Sequence, residues 1–81
     1  MKDAIIITGA RTHYDTVAAE YEYLDRIFGK RGENYRVLKQ GLLKADQKHY
    51  DVVKIRLASD VHKTFFFDIT ESYDKFVIYP Q

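Results

Sequence analysis

The chain contains no cysteine. That removes disulfides, thiolate nucleophiles and cysteine metal sites, argues against a disulfide-stapled secreted mini-domain, and points to a reducing cytoplasm. Long hydrophobic runs are missing too. Met1-Lys2-Asp3 leads into only Ala4-Ile5-Ile6-Ile7 before Thr8, too short for a signal-peptide core or a bilayer span, so no membrane partner is expected. There is no internal repeat, low-complexity run or linker. The three histidines, His13, His49 and His62, are scattered, and none has the spacing that puts two ligands on one helical face. They read as surface histidines near turns and strand ends.

Charge of one sign is also lacking overall: 13 Lys+Arg meet 12 Asp+Glu for a formal charge of +1, which by itself indicates no polyanionic partner. The distribution is uneven. Residues 30–64 carry nine cations against four anions, while both flanking segments are acidic. What the chain does have is large apolar side chains. Hydrophobic residues make up 46% of 81 and aromatics 15%, with no tryptophan but five Phe and seven Tyr. This is the composition of one small domain over residues 1–81, whose rings must supply much of the burial.

Ala4–Thr8 reads as a largely buried strand, because its three isoleucines suit a pleated surface and Gly9 ends it. From Thr12 the period changes. Tyr14, Val17, Tyr21, Leu24 and Phe28 form one stripe of a helix over roughly Tyr14–Phe28 that should face a sheet, with Glu20, Glu22, Asp25 and Arg26 off its centre. Thr12 and Asp15 resemble a capping pair, and Gly29-Lys30-Arg31-Gly32 provides the exit.

Tyr35–Ala45 fits either a helical stripe or a strand with a bulge at Gly41. The strand is favoured because the next segments are strands. Tyr50–Ala58 sets Val53, Ile55 and Leu57 on one face against Lys54 and Arg56, and His62–Thr70 sets Phe65, Phe67 and Ile69 against Thr64, Phe66 and Asp68. Glu71–Asp74 is turn-like, and Lys75–Tyr79 is a candidate last strand before Pro80. The expected fold is α+β in the order β-α-β-β-β(-β), with one helix packed on a mainly antiparallel sheet. That order resembles cystatin-like and monellin-like folds in element order only. The Gln-x-Val-x-Gly loop of cystatin inhibitors has no counterpart at Lys44–His49.

Ile7-Thr8-Gly9-Ala10-Arg11 resembles the Thr-Gly-Ala opening of short-chain dehydrogenases, but the further glycines that admit a pyrophosphate are absent, as is a Walker A motif. Gly9 is better read as a tight exit from the strand, with a weak anion site at Arg11 as the residual option. Glu20, Glu22 and Asp25 read as a solvated helix face, with Glu22 and Arg26 at ion-pair spacing, rather than as paired catalytic carboxylates. Ser59 and Ser72 lack a nucleophile's partner pattern. No enzyme activity and no cofactor are therefore expected.

The remaining candidate is the basic meander. Lys54, Arg56, Thr64 and Phe66, with Tyr50 close by, should project from the sheet face that one helix leaves uncovered. With Ile27 and Tyr23 on the helix flank, exposed Phe66 suits a protein interface, either with a partner or with a second copy through the open face or an edge. Cations beside aromatics also suit single-stranded nucleic acid, although exposed strands of small proteins carry such residues for solubility alone. The reading is a non-catalytic protein-binding or self-associating module, with nucleic-acid binding as the alternative.

Overall fold

Three consecutive isoleucines start a strand that is shorter than their propensity implies. In the computed structural model, which describes residues 3–76, β1 is Ile5–Ile6. The Ile7 amide extends the pairing by donating to the Asp68 carbonyl at 3.0 Å. Ile7 is buried but Ile6 is 67% exposed, so the run is not buried throughout, as its apolar character implied. Its place explains this: among the described residues β1 is an edge strand with β4 alone beside it. Gly9, at φ 76, then turns the chain toward the helix in a conformation that disfavours any other residue.

Helix α1, His13–Phe28, is capped as its sequence indicates. The Thr12 hydroxyl accepts from the Asp15 amide at 3.0 Å, and the Asp15 carboxylate accepts from the Arg11 amide at 3.2 Å. At the other end Gly29 has φ 105, and a Cβ there would run into the Asn34 side chain. That side chain accepts from the Lys30 amide at 2.8 Å.

The buried face of α1 differs from the expected one. Its fully buried residues are Thr16, Glu20 and Leu24, whereas Tyr14 is 79% exposed and Val17, Tyr21 and Phe28 are half-buried. Two causes turn the helix. The Thr16 hydroxyl donates inward to the Ser72 hydroxyl at 2.9 Å. Tyrosine, moreover, is only partly apolar and tends to keep its hydroxyl toward water. Tyr21 follows this pattern, with its hydroxyl 3.4 Å from Gln40 and Arg31 lying 4.1 Å over its ring.

Three strands follow: β2 Tyr35–Ala45, β3 Lys48–Leu57 and β4 His62–Asp68. They form an antiparallel meander, and β1 joins β4 in parallel, giving a mixed four-stranded sheet in the order β1-β4-β3-β2. The fold is thus α+β with one helix on the sheet, partly parallel rather than purely antiparallel. Tyr35–Ala45 is a strand, and its irregularity falls between Val37 and Lys39, not at Gly41.

The β2–β3 connection is the pair Asp46-Gln47, both at positive φ, the pattern of a two-residue hairpin turn. After β4, Thr70–Phe76 forms a 3-10 helix rather than a simple turn. It takes in Lys75 and Phe76 of the expected last strand, and residues 77–79 of that strand lie outside the described residues.

Leu24, Val53, Ile55, Phe67 and Ile69 are fully buried between helix and sheet. Tyr23, expected on a free flank, instead packs edge-on against Phe65 and Phe67 at 6.4 and 5.8 Å. Ile27 is exposed as expected. Among the described residues, no helix is long and apolar enough to cross a membrane.

Candidate functional site

Alternation along β3 assigns its residues to two environments. Asp51, Val53 and Ile55 are buried under the helix, while Lys54 and Arg56 point to the uncovered side. The register then fixes their neighbours there. Lys54 stands between Lys39 and Thr64, Val52 between Gly41 and Phe66, and Arg56 between Arg36 and His62. A hollow of about 400 Å³ lies on this side, its walls including Lys39, Leu43, Val52, Lys54, Thr64 and Phe66.

Lys54, Thr64 and Phe66 are therefore brought together as expected, with two adjustments. Phe66 is half-buried in the hollow rather than exposed. Arg56 lies outside its walls and pairs with Asp60 at 3.2 Å. Tyr50 is corrected outright: it is 1% exposed, although alternation along β3 sets it on the same side as Lys54, beside Leu43 and Asp68. It offers no ring to a ligand.

Like charges stand in register on this face. Arg36 lies directly opposite Arg56, and Lys39 directly opposite Lys54; like charges in such positions repel at close range. Among the described residues, Arg36, Lys39 and Lys54 take part in no ion pair. Leu38, Leu42 and Leu43 add exposed aliphatic surface along β2. Among the described residues that strand has β3 on one side only; on its other edge Tyr35 bridges Arg31 and accepts from the Gly32 amide at 2.7 Å, and the stretch beyond it has no described strand partner.

The opposite face holds a second polar cluster around Glu20, a residue that the sequence reading placed in solvent. Glu20 is 0% exposed, and neither of its carboxyl oxygens has a hydrogen-bond partner. Burial first, and then the Asp51 carboxyl beside it, push its pKa from 4.5 up to about 9, although no hydrogen bond of sound geometry joins the two. Glu20 is thus a neutral acid at pH 7. Asp51, also buried, accepts from the Gln40 amide nitrogen at 2.7 Å.

Of the other helix carboxylates, Glu22 makes its expected ion pair with Arg26 at 2.8 Å. Asp25 accepts from the Tyr35 hydroxyl at 2.7 Å. Two signals pointed to the buried pair: Glu20 lies four residues from both Thr16 and Leu24, and Asp51 shares the alternation of Val53 and Ile55.

His49 stacks on Tyr73 at 3.6 Å. Among the described residues, no three His, Asp or Glu side chains are grouped to hold a metal ion. At the helix N-terminus, Asp15 occupies the first turn where an anion beside Arg11 would lie. A scan of the chain against protein-family models, and searches of curated proteins and of solved structures, find no match.

Proposed function

We propose that the protein is a non-catalytic protein-binding module that takes its partner on the uncovered face of the sheet. One observation carries this reading: an apolar hollow of about 400 Å³ is bordered by cations set directly against one another, Lys39 against Lys54, with Arg36 against Arg56 farther along. Repulsion of this kind costs stability, and an acidic partner surface relieves it. Self-association through the same face is disfavoured, because two copies would bring the two cation arrays together.

Nucleic acid would also neutralise the cations, but the two rings expected to stack on bases are not free to do so: Tyr50 is buried and Phe66 half-buried. Catalysis finds little support in the acid pair. A catalytic acid or base must reach its substrate, and Glu20 and Asp51 are 0% and 2% exposed. A cysteine-free chain suits a cytoplasmic setting.

The test compares the wild-type protein with Lys54→Glu and Phe66→Ala as baits in a lysate of the source cells, after light scattering has established the oligomeric state. A monomer whose captured protein falls roughly tenfold with either substitution is expected. Binding of a single-stranded oligonucleotide that weakens steeply with salt would replace this reading with the nucleic-acid one.

A further inference from the structure

Gly41 occupies the interior of β2, where glycine weakens a strand and offers nothing to pack. The fold does not require it. Its backbone lies outside the left-handed region, and a Cβ there would meet nothing within 4 Å. Without a side chain, Gly41 leaves the outer-face hollow open right up to the edge of β2.

Two hollows straddle the same short stretch of edge. The one of about 400 Å³ on the uncovered face and another of about 220 Å³ on the helix side share Gly41 and Leu42 in their walls. The side chains of an added strand alternate between the two faces of a sheet, so hollows on both sides of one edge suit a strand and not a ligand seated on one face. The edge itself is long, 11 residues, and contrasts with the opposite edge, where β1 has only 2. The register shift near Leu38 disrupts its first part and leaves Lys39–Ala45 as the regular segment.

Charge then selects the occupant. β2 carries Arg36, Lys39 and Lys44 and no acidic residue, and Lys54 lies beside Lys39 on β3. A second copy pairing antiparallel about Leu42, the middle of that segment, would set Lys39 against Ala45 and Lys44 against Gln40, and would bring lysines together with no acidic residue on either strand to offset them. We infer that the Lys39–Ala45 edge of β2 accepts an extended acidic segment of a partner protein as a fifth strand, its backbone passing close to Gly41 and its alternate side chains entering the two hollows. This rests on the protein-binding reading and specifies how the partner is held.

The probe is a synthetic peptide of about ten residues alternating Glu with Val, long enough to cover the edge segment. Controls are the same peptide with Lys for Glu and one interrupted by proline, which cannot continue a strand. Binding is followed by backbone amide exchange and shift mapping. The Glu peptide is expected to bind and to slow exchange at alternate β2 amides, while the two controls do not. Gly41→Val, which retains the fold because its side chain enters open space, should weaken binding roughly tenfold or more. Lys39→Glu with Lys44→Glu should abolish it.

Binding that shifts Lys54 and Phe66 but leaves the β2 amides exchanging as in the free protein would overturn strand addition and leave the outer-face reading in place. No response to any peptide would also overturn it, with the outer-face reading then decided by the bait comparison.

Discussion

A carboxyl enclosed at position 20 keeps a proton that the unfolded chain releases. With a pKa near 4.5 unfolded and about 9 folded, Glu20 makes no difference below pH 4.5, where both states hold the proton. Between these values only the folded state does, so stability falls as pH rises, and above about pH 9 the loss is complete. Glu20→Gln removes the titration. The variant should show a flatter stability profile between pH 5 and 9 and a gain on the order of 1–3 kcal/mol at pH 8, measured by urea unfolding across that range; an unchanged slope would contradict the buried neutral acid. Leu24 and Phe67, both fully buried, should lose about 2–5 kcal/mol on truncation to alanine, as deleted core side chains do. Those two were legible because strong apolar residues fall in phase with their elements. Glu20 was not: residue type pointed to solvent while its spacing from Leu24 pointed inward, and only the tertiary contacts decide between them.

Among the elements, the meander was the most legible, because a strand with one buried face writes a period of two into its sequence. Val53 and Ile55 against Lys54 and Arg56 is that signature, and it also made Tyr35–Ala45 a strand by supplying its partner. The helix was legible in extent from Thr12 and Gly29, but not in rotation, since tyrosine counts as apolar in a stripe yet places its hydroxyl at the surface. Parallel pairing of β1 with β4 is a choice between distant segments and leaves no local mark. The β2–β3 turn is hidden for a different reason: Asp46-Gln47 takes positive φ at both positions without the Asn-Gly signal. Gln47→Gly should therefore stabilise the protein by about 0.5–1 kcal/mol by relieving the left-handed conformation, and thermal unfolding would register it as a raised midpoint. A lowered midpoint would show that the Gln47 side chain does more for the hairpin than its backbone costs.

At the scale of the whole molecule, the helix covers one face of the sheet and the cations gather on the other. The sequence located this basic region within residues 30–64, because strand alternation sends Lys54 and Arg56 to the same side. It could not set Lys39 against Lys54 or Arg36 against Arg56, since those pairings depend on a register offset by one residue between Val37 and Lys39. Nor could it bury Tyr50. On the proposed reading this face is arranged for a partner at some expense to the fold, and the stability of the free protein tests that without knowledge of the partner. Lys54→Glu converts the Lys39–Lys54 repulsion into an attraction. Equilibrium urea unfolding at low salt should show a higher midpoint, a gain on the order of 0.5–1 kcal/mol with an unchanged slope. A lower midpoint would contradict that reading, because it would mean that Lys54 serves the fold.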